Sequence, residues 1–220
     1  QNNQPNNLIS KIKQFFFTNG WEPLPYQIES WEAFLNGENG IIQVPTGCGK
    51  TYAALMGPLS KLEDPKNNIS VNILLITPLK ALSRDLKNSI QLAALHFNKD
   101  ITVEIRNGDT TPYEKKKQLA KPPNILITTP ESLSLLLSNK ESNNLFKELS
   151  SIIIDEWHEL MGSKRGNQCE LSLSWLRGNI KNLQIWAMSA TIGNIEEAAR
   201  AIVGMSDIEP KIISTNIQKE

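Results

Sequence analysis

The chain has only two cysteines and two histidines, no excess of either charge, and no long apolar run. Cys48 and Cys169 cannot build a disulfide framework, and no Cys/His cluster has zinc-site spacing. A reducing compartment is therefore expected. Apolar runs such as Ile73–Ile76 are too short to span a membrane, and the polar residues 1–7 do not resemble a signal peptide. These absences exclude disulfide-rich, zinc-stabilised and membrane-spanning classes of protein.

The charges balance, with 23 Lys and Arg against 23 Asp and Glu in 220 residues. Binding of nucleic acid through a net positive charge over the whole surface is therefore not expected, and any phosphate-binding surface must be a local patch. The length is sufficient for one large domain with a substantial core. We expect a disordered tail at residues 1–7 and one domain at residues 8–215.

Short apolar runs alternate with helical patterns, and each run is continuous rather than alternately polar and apolar. Continuous runs are typical of strands buried on both faces. A strand–helix alternation with a period of ~30 residues predicts an α/β fold with a mostly parallel central sheet flanked by helices. The predicted strands are Ile41–Val44, Ile73–Thr77, Ile101–Ile105, Ile125–Thr128, Ile152–Ile154, Ile185–Ser189 and a last one at Lys211–Ser214. Because ligands of such sheets bind at the carboxyl ends of the strands, the residues after each run are the functional candidates.

A phosphate-binding loop follows the first predicted strand and precedes a helical pattern at Tyr52–Leu62. Glycines let the backbone N–H groups of such a loop turn toward a phosphate, and the helix N-terminus adds partial positive charge. Lys50 is placed to reach the β and γ phosphates, and Thr51 offers a hydroxyl to Mg²⁺. One departure is Val44, where the general pattern has a glycine. The loop reads Pro45, Thr46, Gly47, Cys48, Gly49, Lys50 and Thr51, with Cys48 at its variable position.

An acidic pair, Asp155 and Glu156, follows the predicted strand Ile152–Ile154. In phosphate-loop proteins, an Asp at the end of a buried strand is the second anchor of Mg²⁺. Glu156 is then placed to orient or deprotonate the attacking water. Read alone, the pair also fits a helix start favoured by the macrodipole, but the phosphate loop upstream favours the catalytic interpretation.

These residues resemble the superfamily-two helicases, and the resemblance covers about residues 8–215. Asp155-Glu156-Trp157-His158 is similar to the DExH box of that family. Four more segments resemble motifs of that family. Thr77–Leu82 resembles motif Ia, Thr128–Ser132 resembles motif Ib, Ser189–Thr191 resembles motif III, and Pro25–Gln27 resembles the Q-motif, which reads adenine. A narrower resemblance is to the Lhr-type (large helicase-related) group and, within it, to the bacterial ligase-associated DExH helicases. It rests on the amino-acid sequences of Asp155–Gly166, Gly108–Pro112 and Ser189–Asn194.

The resemblance implies the first RecA-like domain of a DNA helicase or translocase that hydrolyses ATP with Mg²⁺, moves 3′ to 5′ and serves repair. It implies that Gln27 reads adenine, that His158 relays between ATP and the strand, and that Ser189 and Thr191 couple ATP state to movement. The arginine-containing motifs of the second RecA-like domain are absent, so residues 216–220 are expected to begin a linker to it, and the fragment alone to be weakly active or inactive. Further C-terminal domains, a DNA ligase or nuclease partner and a cytoplasmic, nucleoid-associated location in a bacterium are also implied.

Nucleic-acid contacts are expected from residues after the second, fourth and fifth predicted strands and from the loop after the box. Backbone N–H groups at strand ends and helix N-termini bind phosphates without reading sequence, as a motor requires. Single-stranded or partly duplex DNA is the expected partner. The candidates are Thr77, Pro78, Lys80, Arg84, Thr129, Glu131, Ser132, Lys164 and Arg165.

Three other functions remain open from the sequence. An RNA helicase shares all these motifs. A nucleotide-gated binding module without catalysis is disfavoured by the intact Lys50, Thr51, Asp155 and Glu156. A small-molecule phosphotransferase would leave motifs Ia, Ib and III unexplained.

Overall fold

A computed structural model describes residues 3–45, 47, 49–140, 142–204 and 208–215. Within these residues the protein forms one seven-stranded sheet in the order β3-β4-β2-β5-β6-β1-β7, and every strand pairs in parallel with its neighbours. The mostly parallel sheet predicted from the sequence is therefore confirmed. The strands are β1 Gly40–Gln43, β2 Ile73–Ile76, β3 Val103–Arg106, β4 Ile125–Thr128, β5 Ser151–Ile154, β6 Gln184–Ser189 and β7 Lys211–Ser214.

Helices connect the strands and cover both faces of the sheet. None of them, among the described residues, has both the length and the apolar content to cross a bilayer. They are α1 Asn3–Thr18, α2 Pro25–Leu35, α3 Lys50–Ser60, α4 Ser83–Phe97, α5 Pro112–Ala120, α6 Pro130–Leu137, α7 Ser142–Leu145, α8 Trp157–Leu160, α9 Lys164–Asn179 and α10 Ile195–Val203.

The strands divide the hydrophobic core into two layers because successive side chains point to opposite faces of the sheet. In β2, Ile73 and Leu75 pack with helices α1–α4, whereas Leu74 and Ile76 pack with α6–α10. Strands β2, β4 and β5 are buried along their whole length, which explains why their sequences are almost continuously apolar. The result is the predicted three-layer arrangement of helices, sheet and helices.

The first helix corrects one expectation from the sequence. Residues 3–7, predicted to be a disordered tail, form the start of α1. Pro5 is tolerated there because the first turn of a helix needs no backbone donor from it. The helix is held by Ile12, Phe15 and Phe16, which are buried against α2 and α3. Residues 1–2, from the same predicted tail, and residues 216–220, the predicted start of a linker, lie outside the described residues.

Two element boundaries also differ from the predictions. Helix α3 begins at Lys50 rather than Tyr52, so the loop lysine itself opens the helix. Strand β3 begins at Val103 rather than Ile101, because the hydroxyl and amide of Thr102 are occupied by the Asn124 side chain. The other predicted strands lie within one or two residues of the observed ones.

Candidate active site and nucleic-acid surface

The phosphate loop joins β1 to α3 at the carboxyl edge of the sheet. Gly47 and Gly49 both have positive φ, 84° and 78°, in the left-handed region that glycine adopts without strain. Gly49 is also the residue that precedes the first turn of α3. Pro45 is half-buried at the exit of β1. Thr46 and Cys48, which were also predicted to line the loop, lie outside the described residues.

Lys50 carries the clearest sign of a missing anion. It is the first residue of α3 and is only 7% exposed, and within the described part of the chain its Nζ has no hydrogen-bond partner. A buried ammonium without a partner is costly, so its position is explained by a ligand that supplies negative charge. Thr51 follows in the same first turn and is partly buried. These features fit the phosphates of a nucleotide.

Gln27 lies against the loop rather than apart from it. Its side chain is buried: Nε2 donates to the carbonyl of Gly49 at 3.1 Å, and Oε1 accepts from the amide of Leu24 at 2.8 Å. A Cβ added to Gly49 would lie 2.7 Å from that Nε2, so the contact requires glycine there. Gln27 thus ties the start of α2 to the phosphate loop, and its predicted contact with adenine stays a prediction.

Asp155 directly follows β5, at the same edge of the sheet as the loop. Its amide donates to the carbonyl of Ile76 at 2.7 Å, and the residue is 6% exposed. Burial, with the negative charge of Glu156, raises the pKa of Asp155 to about 6, although the positive charge of Lys50 opposes the rise. A carboxylate and a hydroxyl are oxygen ligands that suit Mg²⁺, which retains waters and phosphate oxygens as its other ligands. Asp155 and Thr51 therefore fit the predicted metal anchor.

Glu156 is held in an unusual backbone conformation. Its φ and ψ are both 47°, which costs a non-glycine residue roughly 1–2 kcal/mol. The surrounding structure imposes this turn between β5 and α8, because Trp157, the next residue, is fully buried and its indole N–H donates to the carbonyl of Ala198 at 3.1 Å. The strained turn leaves the Glu156 side chain 16% exposed at the edge of the sheet. Strain of this kind is concentrated at functional sites.

His158 connects the acidic box to motif III. Its Nε2 lies 3.4 Å from the Glu156 carboxylate, and its Nδ1 accepts a hydrogen bond from the amide of Ala190 at 3.1 Å. Ser189, beside Ala190, is completely buried at the end of β6, whereas Thr191 is exposed. The structure thus brings together His158 and the segment predicted to couple with it. The linking atom, the Ala190 amide, was missed because a backbone group leaves no signal in the sequence.

A second missed link joins motif III to the strand that leads into the phosphate loop. Gln43, the last residue of β1, donates from Nε2 to the carbonyl of Ile192 at 3.3 Å, and the amide of Val44 donates to the carbonyl of Ser189 at 3.2 Å. The segment after β6 therefore contacts both the loop strand and the acidic box. Its central position follows from the strand order, since β6 lies between β5 and β1.

The predicted nucleic-acid residues divide by burial. Lys80, Arg84 and Lys164 are exposed. Thr77 and Pro78 are buried, with Thr77 at 0% exposure, and the Thr129 hydroxyl caps α6 by accepting from the amide of the half-buried Ser132 at 3.3 Å. The side chains of Thr77 and Thr129 therefore face the protein interior or cap α6, and the predicted backbone contacts of these residues with phosphate stay predictions.

Three of the charged candidates have protein partners. Lys80 pairs with Asp109 at 3.0 Å, and Arg165 pairs with Glu131. Asp109 was not predicted as a site residue, although it belongs to the segment Gly108–Pro112, whose amino-acid sequence resembles that of Lhr-type proteins. Glu131 and Arg165 were predicted separately as nucleic-acid contacts, and the structure brings them into contact with each other. Lys164 is exposed and forms no ion pair with the other described residues.

The sequence pattern of the DEAD/DEAH box helicase family matches residues 24–198. The chain belongs to this family. It is 34% identical to an Lhr helicase/probable uracil glycosylase of Mycolicibacterium smegmatis over 88% of its own length, and 37% identical to the ATP-dependent helicase Lhr-Core of Saccharolobus solfataricus over 82%. It spans 14% and 22% of those two relatives. The predicted Lhr-type relationship is therefore confirmed.

The three-dimensional comparison agrees with the sequence comparison. The fold matches a structure of the Mycobacterium smegmatis helicase Lhr bound to ssDNA and AMP-PNP with a TM-score of 0.83 and 32% identity. The match covers 93% of this chain and 27% of that one. The protein therefore has the RecA-like fold of an Lhr-type helicase, and the chain covers the first RecA-like domain.

Proposed function

We propose that this domain is half of a DNA-translocating motor that moves 3′ to 5′ and serves DNA repair. Membership of the helicase family implies ATP hydrolysis. The observation that carries the proposal is the buried ammonium of Lys50, which has no hydrogen-bond partner among the described residues, at the edge of the sheet where Asp155 and Glu156 follow β5.

Each residue of the site has a distinct task in this mechanism. Lys50 binds the β and γ phosphates by charge-assisted hydrogen bonds. Thr51 and Asp155 would hold Mg²⁺, which neutralises charge that develops on the phosphates when it is bound. Glu156 accepts the proton of the attacking water. His158 transmits the state of Glu156 to the Ala190 amide and so to motif III.

DNA is the preferred track because a relative of the same fold at 32% identity is named as bound to ssDNA. RNA is the second candidate, since the surface residues Lys80, Arg84 and Lys164 offer charge without base recognition. A second RecA-like domain is proposed to close the cleft, because the chain spans only 14–22% of its Lhr relatives. A bacterial cytoplasmic location at the nucleoid, further C-terminal domains and a ligase or nuclease partner remain predictions.

The test is unwinding and ATP hydrolysis by the full-length protein, including any region after residue 220. The substrates are DNA duplexes with a 3′ tail or a 5′ tail and RNA duplexes of the same sequence. They distinguish the two directions of movement and a DNA track from an RNA track. The expected result is ATP-dependent unwinding of the 3′-tailed DNA alone, with a Glu156→Gln protein as the inactive control. Unwinding of RNA at an equal rate would replace the DNA assignment, and hydrolysis without any nucleic-acid stimulation would contradict the motor.

A further inference from the structure

Arg165 joins three segments that are distant in the sequence. It lies in the first turn of α9, and its guanidinium contacts Pro78, after β2, and Glu131, in the first turn of α6. Nη2 donates to the Pro78 carbonyl at 2.8 Å and to Glu131 Oε2 at 3.2 Å, and Nε donates to Glu131 Oε1. The two parallel bonds to one carboxylate form the fork that guanidinium makes and ammonium cannot.

The energetics indicate that this contact sets geometry more than stability. The Arg165 and Glu131 side chains are 41% and 46% exposed, and ion pairs at this exposure contribute at most about 1 kcal/mol. An arginine at a helix N-terminus is also disfavoured by the macrodipole, whereas Glu131 at the start of α6 is favoured by it. Hydrogen bonds from Arg165 lower the pKa of Glu131, and the same contact raises the pKa of Arg165.

The segment that carries Arg165 is fixed to the acidic box. The Leu160 carbonyl at the end of α8 accepts from the Ser163 hydroxyl at 2.6 Å and from the Ser163 amide at 3.1 Å. A Cβ added to Gly166 would lie 2.0 Å from the same carbonyl, so only glycine permits this approach. Because α8 begins immediately after Glu156, this turn connects the acidic box to the start of α9, where Arg165 lies.

We propose that Arg165 and Glu131 are positioning residues that hold motifs Ia and Ib at a fixed separation and link that separation to the ATP site. They act through the nucleic-acid-binding segments rather than by contacting phosphate themselves. This inference rests on the proposed nucleic-acid motor and deepens it. It also reassigns both residues from the direct contacts that the sequence predicted.

The direction in which Glu131→Gln changes the affinity for single-stranded DNA distinguishes a positioning role from a purely electrostatic effect. Glu131→Gln removes a negative charge from a surface that binds polyanions, so simple electrostatics predicts tighter binding of single-stranded DNA. If Glu131 positions the motifs, the same change weakens binding, by about tenfold. The measurement is fluorescence anisotropy of labelled oligo-dT with the full-length protein and a non-hydrolysable ATP analogue. Glu148→Gln, an exposed carboxylate before the amino end of β5, is the matched control for charge.

Salt dependence and conservative variants complete the test. Each phosphate contact that is lost reduces the slope of log K against log salt by about 0.7 for single strands. Lys164→Ala is expected to reduce the slope in this way, whereas Glu131→Gln and Arg165→Lys lower affinity without changing it. The double variant Glu131→Gln/Arg165→Gln is expected to lose no more than Arg165→Gln alone, because the two residues act as one unit. An unchanged far-UV circular dichroism spectrum and an unchanged thermal unfolding midpoint verify folding of each variant.

Three outcomes overturn the inference: Glu131→Gln binding as tightly as the wild type or tighter, Arg165→Lys keeping wild-type affinity, or additive losses in the double variant. Failure of the proposed function looks different. A wild-type protein that does not bind single-stranded DNA at all refutes the motor assignment, and the positioning role falls with it. A wild type that binds, with a Glu131→Gln variant that binds equally well, refutes the positioning role alone.

Discussion

The imidazole of His158 bridges Glu156 and Ala190, with Nε2 3.4 Å from the Glu156 carboxylate and Nδ1 accepting from the Ala190 amide at 3.1 Å. This geometry fixes the tautomer: because Nδ1 accepts, the ring proton is on Nε2 and faces the carboxylate. Glu159 lies 3.5 Å from the same nitrogen, so two acceptors hold the ring. A change in the charge of Glu156 therefore alters a bond whose other end is the backbone of motif III.

Replacing His158 with Ala is expected to uncouple hydrolysis from movement. The full-length variant should bind ATP as the wild type does, since the ring's contacts among the described residues are with Glu156, Glu159 and Ala190, but should unwind about tenfold fewer base pairs per ATP. The measurement combines an unwinding assay with phosphate release in the same reaction. His96→Ala, whose ring contacts the Lys11 carbonyl on the α1 side of the protein, is the control. An unchanged ratio of unwinding to hydrolysis would contradict the relay.

Lys50→Ala is expected to abolish nucleotide binding by the domain. The wild-type domain should bind ATP–Mg²⁺ weakly, because it provides only one wall of the cleft. Removing the ammonium deletes charge-assisted bonds worth about 1.5–3 kcal/mol, which is about 10- to 100-fold in affinity. Isothermal titration calorimetry measures this directly. Lys61→Ala, an exposed lysine that follows the other end of α3, should bind normally, and equal affinity for the wild type and Lys50→Ala would refute the loop assignment.

Glu156→Gln is expected to keep ATP binding and to lose turnover in the full-length protein. The amide has nearly the shape of the carboxylate but cannot take a proton, and loss of a general base costs ~10²–10⁴-fold in rate. Asp155→Asn should differ by weakening binding of the metal–nucleotide complex as well. Steady-state hydrolysis with DNA present and filter binding of radiolabelled ATP distinguish the two. Turnover of Glu156→Gln within a factor of about three of wild type would exclude it as the base.

Asp155 is expected to make stability depend on pH. Its pKa is about 6 in the folded protein against 3.8 for the ordinary group, so the folded state binds more protons, and stability is lost as pH rises through 6. Asp155→Asn should therefore stabilise the protein, and its advantage should grow by about 1–2 kcal/mol between pH 5 and pH 8. Urea unfolding in metal- and nucleotide-free buffer measures it. Asp85→Asn, an exposed control, should show no such trend, and a constant advantage for Asp155→Asn would contradict the raised pKa.

The sequence was sufficient to place the predicted ATP-site segments at one edge of the sheet because these segments follow buried parallel strands. Asp155 stands directly after an apolar run, Lys50 follows the loop after another, and parallel strands have their carboxyl ends at one edge. Periodicity therefore predicted which residues meet, although they are about a hundred positions apart. The same argument placed Ser189 correctly, at the end of the strand between β5 and β1.

The protein partners of the residues at the predicted nucleic-acid surface were not predicted, because side-chain partners cannot be derived from strand order. Arg165 and Glu131 are both polar residues near strand ends, and nothing in their spacing shows that each satisfies the other. Composition alone does not show that Thr77 is fully buried or that the Thr129 hydroxyl caps α6. Residues 3–7 are polar, and their helix depends on the apolar face that follows them.

The strand order has a consequence for the biosynthesis of this domain. Strand β1, which leads into the phosphate loop, pairs only with β6 and β7, and Gly40 lies opposite Trp186 and Lys211. As the chain leaves the ribosome, the nucleotide-binding strand has no neighbours in the sheet until almost the whole domain has been synthesised. Pairing over such sequence separations is slow and exposes apolar strands in the interval. The nascent chain should therefore acquire ATP affinity in one step, after β6 has been synthesised. A chain truncated before β6 should lack that affinity and should require a ribosome-bound chaperone to stay unaggregated.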